Sequence, residues 1–349
     1  MWLGSIPACH FRMALEGTGL VDPAHRPTLP HARHRGVGIG RAIAQSACAT
    51  LVSGLDSLSA CVVFGFRGAG YTGGLWGWYV RAILEREASM DVLELGLAGK
   101  VAIVTGGSEG LGRACVERFA KSGAKVAACA RRKDVLERAV DEIQKKTGAD
   151  ILAMSTDVTS GPEVEAFVAA TVARFGGVDI LVNNAGTSSA AGFEEVDDAT
   201  WQYDFDSKVM GAIRFCRLVI PHMKRRGGGR IINVTTVGGK APAARSLPTS
   251  MSRAAGINLT KSLAHEYAAD KILVNTICLG LIKSAQHERR AKGDLDAYYR
   301  DIAQKRKLPL GRFGEAHEFA DLVAFLASER AAYITGTAIN FDGGITAAV

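Results

Sequence analysis

A doubly wound α/β domain, with a parallel seven-stranded sheet covered by helices on both faces, is the fold this sequence predicts. Three observations predict it. Short continuous apolar runs such as Val101, Ala102, Ile103 and Val104 are of the kind buried on both faces of a parallel strand. Longer segments between them return their apolar residues every three to four positions, as Leu111, Cys115 and Phe119 do opposite Arg113, Glu117 and Lys121. A glycine cluster stands where the first run gives way to the first such segment.

The first strand is expected over 101–105. It runs into Gly106, Gly110 and Gly112, with Ser108 and Leu111 between them. Missing side chains there let the chain turn sharply and let a pyrophosphate approach the N–H groups of the helix start, which makes a dinucleotide cradle. Further strands are expected over 125–130, 151–156, 178–183, 229–235, 272–278 and 337–341, separated by helical segments and joined by right-handed crossovers. After the second strand, where an NAD site places an acidic residue against the ribose hydroxyls, the sequence has Arg131 and Arg132. Paired guanidinium groups suit a 2′-phosphate, so NADP(H) is favoured over NAD(H), unless the two arginines are simply a solvated helix start. Glu109, in the glycine turn, argues the other way.

The chain has 349 residues, 48% hydrophobic and 22% charged, enough to bury a large core and unlike a disordered or collagenous chain. Its net charge of +7 is spread out, with no run of five like charges, so nucleic-acid binding is not expected. The seven cysteines are odd in number, lack a CxxC pair, and read as buried thiols of a reducing, cytoplasmic compartment. Residues 1–89 differ in character: they hold eight arginines and no lysine, with little periodicity. They read as an atypical extension, appended, mis-called or disordered, with the domain proper spanning residues 90–349. A targeting peptide and a membrane anchor are the functional alternatives, but Asp56, Arg67 and Arg81 interrupt the apolar stretch before it reaches the roughly 18 residues a span needs. The run GVGIGRAIA at 36–44 imitates the glycine turn without a strand before it, and reads as coincidence.

The spacing TGGSEGLG, Asp157 and Val158 after the third strand, NNAG at 183–186, and the closing segments PLGRFGEAHEFADLVAFLAS and TGTAINFDGG together resemble the short-chain dehydrogenase/reductase family. The resemblance covers residues 90–349. It implies a Rossmann-like fold, a homo-oligomer (dimer or tetramer) and no membrane association. It also implies hydride exchange between a nicotinamide cofactor and a small carbonyl or alcohol. Carried onto this chain, the family's cofactor contacts fall on Gly106, Ser108, Gly110, Leu111, Gly112, Asp157, Val158, Asn183, Ala185, Gly186, Arg253, Gly280, Ile282 and Ser284. The lid that covers substrate falls on 283–307, whose eight basic against four acidic residues would recruit an acidic substrate unless they are simply solvated.

The family's chemistry rests on an asparagine, a serine, a tyrosine and a lysine. In register with KSLA, VNTI and RIINVTT, those places hold Lys208, Thr236, Thr249 and Arg253. Thr236 keeps a hydroxyl. Thr249 lacks the acidity of a phenol, and Arg253 supplies charge without giving up its proton. Lys208, an amine beside Arg253, either donates the proton itself or fills vacated space and binds nearby carbonyls or an acidic group. Two functions stay open: an oxidoreductase with a non-standard active site, and a catalytically silent nucleotide-binding protein with a structural or regulatory role.

Overall fold

The computed structural model describes residues 94–289, 291 and 293–348. The expected extension over 1–89 lies outside them, as do positions 290 and 292 of the expected lid. Seven strands form one sheet in the order β3-β2-β1-β4-β5-β6-β7: β1 (Val101–Thr105), β2 (Lys125–Ala130), β3 (Ile151–Ser155), β4 (Ile180–Asn183), β5 (Gly229–Thr236), β6 (Ile272–Leu279) and β7 (Ala338–Phe341). Every adjacent pair is parallel. Each strand lies within two residues of its expected bounds.

The connections are helices: α1 (Gly110–Lys121), α2 (Lys133–Thr147), α3 (Gly161–Phe175), α4 (Asp198–Phe205), α5 (Gly211–Arg225), α6 (Thr249–Glu266), α7 (Ala285–Glu288), α8 (Leu295–Lys305) and α9 (Ala316–Ala327). Alternation along the strands assigns them to faces. Ala102 and Val104 of β1 pack with Val116 and Phe119 of α1, Leu136 of α2 and Phe319 of α9 on one side. Val101 and Ile103 pack with Phe167 of α3 and Phe215 of α5 on the other. Phe167 and Phe215 meet edge to face at 6.0 Å between centroids. Cys115, Cys129, Cys216 and Cys278 are buried free thiols within these layers. Burial pushes the thiols of Cys129 and Cys216 up to about 12, so both are inert.

Between α4 and α5 the chain does not break. Asp206–Met210 form a π turn, and the Gly211 N–H bonds back to the Asp206 carbonyl five residues earlier. This local widening carries Lys208.

Candidate active site

The C-terminal ends of the strands open into a cleft of about 1000 Å³. It lies where the strand order reverses between β1 and β4, the position at which an open α/β sheet leaves a crevice. Thr105, closing β1, donates to Val182 O at 3.3 Å and accepts the N–H groups of Asn184 and Ala185, each at 3.0 Å. Asn184 Nδ2 returns a bond to Thr105 O at 3.0 Å. The glycine turn and the turn after β4 are thereby fastened together.

Gly112 has no room for a side chain: a Cβ would stand 2.0 Å from the Gly106 carbonyl oxygen. The N–H groups at the start of α1, which have no preceding turn to bond, belong to Gly110, Leu111 and Gly112, all on the cleft wall. Gly106, Ser108, Asp157, Val158, Ala185 and Gly186 line the same cleft, and Gly280, Ile282 and Ser284 close it from the β6 side. Asp157 uses Oδ1 to accept the Thr159 N–H and hydroxyl at 2.9 and 2.8 Å. Arg131 and Arg132 also reach the cleft, already engaged. Arg131 Nη1 donates to the Tyr203 hydroxyl at 2.6 Å, while Arg132 pairs with Glu109, which accepts from Arg289 as well, at 3.2 Å.

At the other end of the cleft stand Thr236, the last residue of β5, and Thr249 and Arg253, one turn apart on α6. Two expected site residues are elsewhere. Asn183 lies beneath the cleft floor, its Nδ2 donating to Asn233 Oδ1 at 2.9 Å and to Cys216 Sγ at 3.5 Å, because the pleat of β4 turns its side chain to the face covered by α5. Lys208 does not line the cleft either. It lies behind Thr249 with its side chain only 2% exposed, sharing with Asn183 and Arg253 a cavity of about 20 Å³. Gly186 makes room for it: at φ +151°, a Cβ there would lie 3.1 Å from Arg253 Nη2 and 3.2 Å from Lys208 Cγ.

What Lys208 meets is a residue the sequence reading missed. Asp204, one turn earlier and fully buried, accepts from Lys208 Nζ, from Thr249 Oγ1 at 3.1 Å and from Ser252 Oγ at 2.6 Å. Lys208 Nζ also donates to Thr249 Oγ1 at 3.4 Å, and the Ser189 N–H reaches the same oxygen at 2.9 Å. Burial lowers the Lys208 ammonium to about 8; Arg253 pushes in the same direction and Asp204 opposes. Arg253, which donates from Nη1 to Val234 O at 2.7 Å, is brought by burial to about 10. The one sequence signal for Asp204 was its place four residues before a lysine on a helix, a pattern that usually marks a solvated pair.

Among the described residues, no cluster of His, Cys, Asp and Glu could hold a metal ion, and no helix is long and apolar enough to cross a membrane.

Residues 106–346 match the enoyl-(acyl carrier protein) reductase family. The chain is 35% identical over 256 residues to the 3-oxoacyl-[acyl-carrier-protein] reductase FabG of Vibrio cholerae, a match covering 72% of this chain and 99% of that one. This chain belongs to the short-chain dehydrogenase/reductase family. Two solved structures of short-chain relatives are similar along their length. The L-sorbose reductase of Gluconobacter frateurii, complexed with NADPH and L-sorbose, shares 37% identity at a TM-score of 0.70, over 74% of this chain and 100% of that one. An NADPH-bound short chain oxidoreductase of Pseudomonas aeruginosa containing an atypical catalytic center shares 35% identity at 0.70, over 72% and 98%. The family is one of NAD(P)-binding oxidoreductases, and the present chain is an enzyme of that kind.

Proposed function

We propose that this short-chain enzyme is an NADP(H)-dependent carbonyl and alcohol oxidoreductase whose proton path runs from Lys208 through Thr249. The observation that carries it is the Lys208 ammonium 3.4 Å from the hydroxyl of Thr249, a residue that lines the cleft.

The cofactor suits the residues present. The start of α1 presents N–H groups to a pyrophosphate across a turn in which Gly112 admits no side chain. Arg131 and Arg132 would hold a 2′-phosphate, Asp157 and Val158 the adenine, Arg253 the nicotinamide ribose, and Gly280, Ile282 and Ser284 the carboxamide end. NADPH in the Gluconobacter and Pseudomonas relatives supports this choice over NADH. When bound, the nicotinamide exchanges a hydride with the substrate carbon.

The chain's own residues handle the proton. Thr236 and Arg253 donate hydrogen bonds to the substrate oxygen as charge gathers on it. Thr249 passes its hydroxyl proton to that oxygen and takes one from Lys208 Nζ, so one O–H bond forms on the substrate and one N–H bond breaks on the lysine. Solvent then reprotonates the amine. Lys208 and Thr249 do together what a phenol does in relatives that have one, and all four usual family positions are substituted: Lys208, Thr236, Thr249 and Arg253. The Pseudomonas relative, with an atypical center and NADPH bound, supports the compatibility of such substitution with cofactor binding. Names of relatives that act on 3-oxoacyl carrier protein and on L-sorbose support reduction of a ketone. The domain that does this begins at Met90, with residues 1–89 an extension to it.

One observation favours a second reading, a silent nucleotide-binding protein. The single Thr249 proton is directed at Asp204, and its oxygen already accepts from Ser189 N and Lys208 Nζ. Turning that proton toward substrate leaves Asp204 with two donors, Lys208 and Ser252, which keeps the relay open. Thr249→Val removes the hydroxyl at constant shape. On the enzyme reading, NADPH-linked reduction falls by about 10²- to 10⁴-fold with NADPH affinity kept; equal activity in this variant removes Thr249 from the path.

A further inference from the structure

Each donor of the proton path ends on Asp204, a residue with no exposed surface. Burial disfavours its ionised form, but hydrogen bonds from Lys208 and Ser252 together with the Lys208 charge outweigh that, and its carboxyl titrates below the usual range. Stability alone does not account for the pair. Two well-packed apolar side chains in place of a buried ion pair are often neutral or stabilising, because neither charge then has to leave water.

The geometry shows what the pair does for Lys208. Two charged groups face its ammonium: Asp204 from α4, which attracts it, and Arg253 from α6, which repels it. The remaining surroundings carry no charge. They include Gly211, Ala212 and Phe215 from α5, Asn183 at the end of β4 and Ala185 just after it, Val234 of β5, and Thr105, Val158 and Ser207. Without Asp204, burial and Arg253 would act on the amine unopposed. Ser252, which lines neither cavity, fixes Oδ1, so that Oδ2 is the oxygen left to hold both Lys208 Nζ and Thr249 Oγ1.

We propose that Asp204 is a positioning residue: its carboxylate holds the Lys208 ammonium charged and aimed at the Thr249 hydroxyl. The inference rests on the proton path from Lys208 through Thr249. Asp204 touches neither substrate nor cofactor and acts only through the lysine.

The test is a titration of Lys208 in the full-length protein by ¹³Cε-lysine NMR, the resonance being assigned by its loss in Lys208→Met. In the unaltered protein the midpoint is expected at about 8. Asp204→Asn keeps the shape and an accepting oxygen while removing the charge, and Asp204→Ser does so with room for water. In whichever of them folds, the midpoint is expected to fall by one unit or more, a tenfold loss of proton affinity. A midpoint within 0.3 unit of the unaltered protein would overturn the proposal even if thermal stability dropped, because a purely structural role moves stability and leaves the titration in place. Failure of both variants to fold, while Asp204→Asn combined with Lys208→Met does fold, would also overturn it, making the carboxylate only the lysine's structural partner. Turnover by Lys208→Met at the unaltered rate would instead defeat the proton path and leave the titration result standing.

Discussion

Lys208 is almost wholly buried, and that burial brings the release of its proton down to about pH 8. Its titration sets a sign for the pH dependence. On the proposed proton path carbonyl reduction needs the ammonium, so its rate is expected to be level below pH 8 and to fall as pH rises through about 8, whereas alcohol oxidation needs the free amine and should rise across the same window. Arg253, at about 10, keeps its charge there and leaves the midpoint to Lys208. Initial rates in both directions from pH 6 to 10 check this; reduction that is flat across the range assigns the proton to another group. Lys208, Thr249 and Arg253 were legible in the sequence because strand-end motifs fix their register. Asp204 was not, since a carboxylate four residues before a lysine looks the same whether the helix face is wet or buried. For Asn183 the motif names the segment, and only the pleat decides that its side chain meets Asn233.

The glycine turn and the second strand bring the cofactor's charges to a place where ion pairs already stand. Glu109 holds Arg132, so a 2′-phosphate bound there as proposed would compete with a carboxylate, and Glu109→Gln should tighten NADPH by several-fold with little change for NADH. Fluorescence titration with both nucleotides reads this out; equal gains for both would place Arg132 away from the 2′-phosphate. In the same turn Gly112→Ala puts a methyl 2.0 Å from the Gly106 carbonyl, which α1 relieves only by moving off β1. A loss of about 2 kcal/mol or more follows from such overpacking, seen as a drop of roughly 4–8 °C in Tm with weakened NADPH binding. An unchanged melting temperature would mean the turn is looser than its geometry indicates. Strands were legible to within two residues because a parallel sheet buries them as continuous apolar runs. The lid was less so: its charge excess left a recruiting surface and a solvated face both open, and in the structure Lys283 pairs with Glu315 at 2.6 Å, Lys305 with Asp301 at 2.8 Å and Arg289 with Glu109. Composition counts charges and does not show their partners.

At the scale of the whole molecule, the sheet order brings the ends of β1, β4, β5 and β6 around one cleft, and the cofactor cradle and the α6 residues occupy its two ends. That arrangement follows from the alternation of strand and helix, and it was legible from residue 100 onward. The chemistry was less legible, because the register that picks out Lys208, Thr236, Thr249 and Arg253 says nothing of what the fold has placed behind them. The most direct measurement is Lys208→Met in the full chain, with NADPH affinity by fluorescence quenching and reduction of a carbonyl panel in the same cuvette. The proton path from Lys208 predicts NADPH affinity within about threefold of the unaltered protein and turnover lower by about 10²-fold or more. Undiminished turnover in that variant would contradict it.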